Sequence, residues 1–232
     1  MLASASKASQ SDFSAIRLWD TTTWLPAGEL RAHTLTTTQM AFSPDDTWLL
    51  SVSRDRSIAL SRRAADGTFA VHFTRPKMHA RIIWGCAWAP TGLIYATASR
   101  DGEVKLWRVD APDTCAASVA LKCGATAVAF APCTDKSGAM LLVVGAENGR
   151  ETAFFAVTHS GESVSVKRLD VSVPHSTWPA ANVNRLAWRY PRKAMLPASV
   201  GERRAWELAV AADDASVRIV SVDIERILET AA

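Results

Sequence analysis

The chain has 232 residues, 48% of them apolar, and a formal net charge of +3 at pH 7. That length and composition suit a globular protein with a substantial core, and the charge is too small to mark a nucleic-acid binder by itself. The longest apolar run, over 139–146, falls far short of the roughly 20 residues a membrane-spanning helix needs, and the amino terminus has no charged leader followed by an apolar block.

In chain order, two strands are expected within 2–20, the second reading AIRLWD over 15–20, followed by a weaker outer strand near Gly28. Residues 33–61 and 79–107 then align without a gap. His33 to Pro44 and His79 to Pro90 are both 11 residues, and His33 to Asp55 and His79 to Asp101 are both 22. A period in the forties with strand-like alternation predicts stacked four-stranded β units, the blades of a propeller. An apolar-Ala-aromatic triplet recurs at 40–42, 86–88, 128–130 and 186–188. Residues two apart share a strand face, so the flanking pair is buried while the alanine keeps the other face thin enough for a neighbouring sheet. A proline follows each triplet (Pro44, Pro90, Pro132, Pro191) and is expected to end the strand, because it has no N–H for the ladder.

The next strand runs over 49–53, 94–99, 141–146 and 207–212, and a polar turn follows at 54–55, 100–102, 147–149 and 213–214. A third strand comes after each turn, over 57–61, 103–107, 152–157 and 216–222, with weaker outer strands near Val71, Ser118 and Val166. Counting Trp19, Ser61, Trp107, Phe155 and Val220 as equivalent, the steps are 42, 46, 48 and 65, and the longest holds insertions over 175–182 and 189–204. A short helix is expected only near 224–230. The fold class is therefore all-β: about four complete four-stranded blades plus a partial one. The units run over 1–20 (partial), 21–61, 62–107, 108–155 and 156–222, with a tail over 223–232. Because blades bury their faces only against neighbours, a chain opening in mid-blade reads as a fragment of a longer, ring-closed protein.

His79, Thr97 or Ser99, Asp101 and Trp107 form the most specific constellation. As chemistry, His, hydroxyl and Asp would suggest a hydrolase triad. No GxSxG elbow occurs, however, and the hydroxyl falls inside a strand expected to pack within a blade. The preceding unit keeps His33, Ser51 or Ser53, and Asp55, but Ser61 stands where the Trp would be. Asp101→Ala is therefore expected to loosen its blade more than Asp55→Ala. Arg54, Arg56, Arg81 and Arg100 are the candidate contacts for a partner or a nucleic acid. Arg54 and Arg100 occupy equivalent turns, so they are expected on one rim, where clustered arginines grip phosphate or carboxylate in bidentate fashion. Aromatics for base stacking are not interleaved with them. Trp24, Trp48 and Trp178 are expected in exposed loops as possible anchors for a partner. No metal site is expected, since His72, His159 and His175 lack a second ligand at metal spacing. Four cysteines without CxxC spacing read as reduced thiols, which points to a cytoplasmic or nucleocytoplasmic protein.

LWD at 18–20, FSPDD at 42–46 and SRDGEVKLW at 99–107 resemble the WD-repeat propellers. That resemblance implies that His79, a strand hydroxyl, Asp101 and Trp107 form a structural tetrad and leave no catalytic residue. A narrower resemblance, to the Elongator complex protein 2 family, is carried by 33–57 and 78–107, with RIIW at 81–84 and the paired SVSRDR and TASRDG turns. It implies the carboxy-terminal part of the second of two seven-bladed propellers. It further implies a non-catalytic scaffold that assembles with Elongator's large first subunit and catalytic third subunit, supporting modification of tRNA wobble uridines at the 5 position. Acetyl-CoA, S-adenosylmethionine and an iron–sulfur cluster belong to the catalytic subunit, so no cofactor is expected here. Neither a membrane nor a small-molecule substrate is expected, and any tRNA contact is expected to be weak or indirect. The alternative is a WD-repeat adaptor in signalling or ubiquitin ligation. Against that, the WDxR signature of cullin-type adaptors is absent, because Thr21 and Thr22 follow Trp19-Asp20.

Overall fold

Short runs of β-branched and aliphatic residues, separated by Asp, Gly and Pro turns, fold into antiparallel meanders. A computed structural model describes residues 1–7, 15–171, 178–189 and 206–229. Strands β1 (Leu2–Ala5), β2 (Ile16–Trp19) and β3 (Pro26–Leu30) form the first sheet. The second holds β4 (Thr37–Phe42), β5 (Trp48–Ser53), β6 (Ile58–Arg63) and β7 (Phe69–Arg75). The third holds β8 (Ile83–Trp88), β9 (Ile94–Ser99), β10 (Glu103–Arg108) and β11 (Cys115–Ala120). In the fourth are β12 (Ala125–Thr134), β13 (Met140–Ala146), β14 (Ala153–Ser160) and β15 (Ser163–Leu169). The fifth has β16 (Val183–Trp188), β17 (Trp206–Ala212) and β18 (Val217–Val222).

Four complete blades were expected; among the described residues three sheets have four strands and two have three. The difference lies in how repeats map onto sheets. Each sequence unit carries four strands, but its first strand closes the sheet before it: β3 pairs with β2, β7 with β6, β11 with β10 and β15 with β14. Every repeat thus straddles two sheets, which ties neighbours together covalently and through the ladder. The proline rule also fails once. Pro132 lies within β12, where the register with β13 shifts between Phe130 and Thr134, and a bulge tolerates a residue without N–H. Pro191 lies outside the described residues.

The innermost strands β4, β8, β12 and β16 stand around a common axis and line a cavity of about 280 Å3. Their alanines do what their size allows: the Trp88 indole reaches across to donate to the Ala41 carbonyl at 2.9 Å. Hydroxyl and amide side chains staple sheet to sheet. Thr38 donates to the Ile83 carbonyl at 2.6 Å, Gln39 to the Cys86 carbonyl at 3.0 Å, and Thr126 to the Val183 carbonyl. At Gly145 a Cβ would lie 2.5 Å from Val183 Cγ1, so only glycine permits this approach of the fourth and fifth sheets. Across the axis, Arg185 of β16 donates to the Gln39 side chain and, at 3.1 Å, to the Thr38 carbonyl of β4.

Between the sheets the core is aliphatic. Ile94, Ala96, Leu106, Val128, Leu142 and Phe155 are buried together between the third and fourth sheets. The expected helix is present as α1 (Ile224–Glu229), begun by the Asp223 carboxylate accepting from the Arg226 amide, with Ile224 and Leu228 buried.

Candidate functional site

The third sheet assembles the expected tetrad. The Trp107 indole donates to Thr97 Oγ1 at 2.9 Å, Thr97 Oγ1 lies 2.8 Å from His79 Nε2, and His79 Nδ1 lies 3.1 Å from Asp101. A neutral imidazole protonated at Nδ1 completes the chain, donating to Asp101 and accepting from Thr97 Oγ1. Burial pushes the His79 imidazole below its ordinary range, with Asp101 pulling the other way. Thr97, not Ser99, is the hydroxyl of the tetrad. Ser99 sits at the turn, donating to the Arg81 carbonyl at 3.3 Å and accepting from the Asp101 amide at 3.2 Å. With Thr97 at 0% exposure and His79 at 2%, this set holds the blade and offers no substrate a path to the hydroxyl.

The second sheet solves the missing Trp differently. His33 Nε2 lies 2.8 Å from Ser51 Oγ, while Nδ1 lies 2.6 Å from Ser57 Oγ, which donates to Asp55. Ser57 is not among the expected members: the sequence places it at the start of the third strand, whereas that strand begins at Ile58 and Ser57 closes the turn. Ser53 takes no part in the histidine's bonding; it donates to the Leu35 and Thr36 carbonyls. Ser61, where the Trp would stand, is buried with no hydrogen-bond partner among the described residues. Burial raises the Asp55 carboxyl, but bonds from the Ser57 hydroxyl and the Thr34 and Ser57 amides outweigh it and hold the group below its ordinary range. A remnant of the network also occurs in the first sheet, where the Trp19 indole donates to Ser4 at 2.8 Å.

This geometry reverses one expectation. Asp55 accepts from the Thr34 amide and hydroxyl, the Leu35 amide, and the Ser57 amide and hydroxyl. Asp101 accepts from His79 and from the Ala80 and Glu103 amides. Asp55→Ala is now expected to cost at least as much as Asp101→Ala, each about 1–3 kcal/mol, because more donors lose their acceptor. Urea midpoints for the two variants test this, and a clearly larger loss for Asp101→Ala would restore the first ranking.

His79, Asp101 and Glu103 bring ligand atoms within 4.8 Å of one another, as a metal site requires. The charge there is already supplied, since Lys105 Nζ lies 3.1 Å from the Glu103 carboxylate and donates to the Met78 carbonyl. The histidine nitrogens are both spent on the tetrad.

Arg54 and Arg100 lie where expected, at one mouth of the axis, lining a cavity of about 750 Å3 with Lys7, Trp84, Glu147 and Asp213. Arg56 and Arg81 do not line it; Arg56 points toward the Ala80 carbonyl at 3.5 Å, and Arg81 is exposed nearby. Of the three tryptophans expected in exposed loops, only Trp24 is one, at 66% exposure. Trp48 begins β5 and packs between Arg62 and His72, and Trp178 is buried against Phe154. Apolar contact with a neighbouring sheet outcompetes display to solvent. His175 and the basic residues over 190–204 lie outside the described residues.

The description "WD domain, G-beta repeat" matches residues 24–60 and 72–108. Elongator complex protein 2 of Dictyostelium discoideum is 32% identical over 240 residues, covering 97% of this chain and 26% of that protein. The chain is a WD-repeat propeller related to Elongator complex protein 2. The Saccharomyces cerevisiae protein of that name is 33% identical over 97% of the chain and 28% of its own length. The human one is 38% identical over 65% of the chain and 20% of its own length. This relative of Elongator complex protein 2 therefore spans about a quarter of the length of the curated proteins it matches. Among solved structures, the Crystal Structure of Mitotic Checkpoint Complex contains a chain that matches with a TM-score of 0.65 at 18% identity, over 95% of this chain and 58% of that one, a likeness of fold.

Proposed function

We propose that this relative of Elongator complex protein 2 is a non-catalytic scaffold subunit of Elongator. It holds the large first subunit and the catalytic third subunit together for wobble-uridine modification of tRNA. The observation that carries the reading is the 97% coverage of the chain by Elongator complex protein 2 of Dictyostelium discoideum. The buried tetrads support it physically, because the His, Thr and Asp side chains a hydrolase would expose are spent on architecture. What remains at the surface are broad sheet rims and loops, suited to assemblies that bury more than about 2,000 Å2. Arg54, Arg56, Arg81 and Arg100 are the proposed contacts on that surface, in the cytoplasm or nucleus.

Affinity purification of the tagged chain followed by mass spectrometry tests the reading. Recovery of both large Elongator subunits is expected, and recovery of cullin adaptors in their place would overturn it. Any direct tRNA contact through the rim predicts that Arg54→Glu combined with Arg100→Glu lowers tRNA affinity about tenfold and flattens its salt dependence. An unchanged salt slope in a filter-binding assay would remove tRNA from the list of ligands.

A further inference from the structure

Four side chains at the axial mouth occupy one structural position. Each follows the second strand of its sheet and donates its backbone N–H to the residue just before the innermost strand of that sheet. The bonds are Arg54 to Thr36 at 3.0 Å, Arg100 to Ile82 at 2.9 Å, Glu147 to Gly124 at 2.9 Å and Asp213 to Asn182 at 3.0 Å. The same bond fixes the four side chains at one level around the axis, and all line the same cavity. Read around the ring, this position is Arg, Arg, Glu, Asp. Among the described residues this position is basic in the second and third sheets and acidic in the fourth and fifth.

The charges are not all cancelled. Arg100 and Glu147 meet at the boundary, 3.2 Å apart, and neutralise each other. Asp213 instead accepts from the side-chain amides of Asn182 at 2.9 Å and Asn184 at 2.5 Å, uncharged donors that orient the carboxylate and leave its charge intact. Arg54 has no ion pair among the described residues, and Lys7 and Arg185 add two more cations to the lining, Arg185 reaching from β16 to Gln39 and Thr38 of β4 on the basic side. In the third sheet, between Arg54 and Asp213 in ring order, stands Trp84. Its counterparts in β4 and β12 are Thr38 and Thr126, whose hydroxyls staple adjacent sheets. Trp84 has no hydroxyl for such a staple, and its half-buried side chain lines the mouth.

We propose that this mouth binds a dipolar peptide segment of a partner protein, with a carboxylate on the Arg54 side, an apolar side chain over Trp84 and a cation on Asp213. A uniformly acidic segment would set one end against Asp213, whose charge is intact, and like-charge juxtaposition selects against it. The inference rests on the reading of the chain as an interaction subunit and names the chemistry of one of its surfaces.

Three labelled peptides of equal length test it by fluorescence anisotropy on the full chain: acidic at one end and basic at the other around a central Leu, all-acidic, and all-basic. The dipolar peptide is expected to bind about tenfold tighter than either of the others. Arg54→Glu and Asp213→Lys are each expected to weaken it about tenfold, and the double exchange, which turns the dipole around, to restore most of the loss. Tightest binding by the all-acidic or the all-basic peptide, or no binding at all, would overturn the proposal. Circular dichroism of each exposed-charge variant separates lost binding from lost fold. Recovery of Elongator subunits is measured separately without peptide. Its failure would sink the scaffold reading, whereas peptide failure with recovery intact sinks only the mouth.

Discussion

Trp107→Ala is expected to lower the unfolding free energy by about 4 kcal/mol, near the middle of the range for truncating a buried Trp. Trp107 is 2% exposed and packs between the second and third sheets with Leu50, Leu60, Met78 and Tyr95. Truncation opens a cavity at that seam and takes away the donor that fixes Thr97 Oγ1, which in turn orients His79. Trp107→Phe separates the two contributions. It keeps most of the apolar contact and removes the indole N–H, so it should cost nearer 1–2 kcal/mol, about one hydrogen bond plus a small void. Trp24→Ala is the internal control, because a side chain at 66% exposure should change stability by less than about 0.5 kcal/mol. Guanidinium midpoints for the three variants check the ranking. A loss below about 1 kcal/mol for Trp107→Ala would mean the tetrad seam contributes little to this fold.

Acid should unfold the chain well before its carboxylates titrate. Burial pushes the His33 imidazole down to about 4, Asp55 opposing, against an ordinary value of 6.5. A base with a depressed folded pKa stays neutral in the native state while the unfolded chain takes up a proton. The native state therefore keeps its full stability above the unfolded value of 6.5 and loses it as pH falls toward about 4, below which the loss levels off. Over that window the loss from His33 is expected to reach roughly 3 kcal/mol, and His79, displaced in the same direction, adds to it. Asp55 and Asp101 contribute on the acid side only. Their carboxyls are held below 3.8, so the stability they supply is present above that value and fades beneath it. Urea denaturation at about pH 7.5, 6 and 4.5 should show a midpoint that falls through the histidine range. His33→Gln should flatten that profile. An unchanged profile in the variant would assign the titration to another group.

The repeat was legible because every signal in it is local. Alternation places strands, Asp-Gly turns end them, and His33, His79, Asp55 and Asp101 recur at one spacing. From those patterns the expected second and third strands of the repeats appear within one to three residues of their observed ends, IYATAS at Ile94–Ser99 without any shift. The partners of those residues were less legible. Thr97 and Ser99 are both strand hydroxyls two apart, on one face, and only the position of the His79 ring separates them. Ser57 could have been found: it sits two residues after Asp55, where a hydroxyl can fold back on the carboxylate, as Ser216 does on Asp214.

From sequence alone came the all-β class, the period, the His and Asp members of the polar networks and the resemblance to Elongator complex protein 2, since side-chain alternation and turn chemistry act over a few residues. Tertiary structure alone decided that each repeat straddles two sheets, that Trp178 is buried, and that the basic turns of the second and third sheets meet the acidic turns of the fourth and fifth at one mouth. Those outcomes depend on which strand edge or ring of turns a segment meets, through contacts such as Arg185 to Thr38, 147 residues apart. Local spacing carries no information about such meetings; packing of one sheet's thin alanine and glycine faces against the next does.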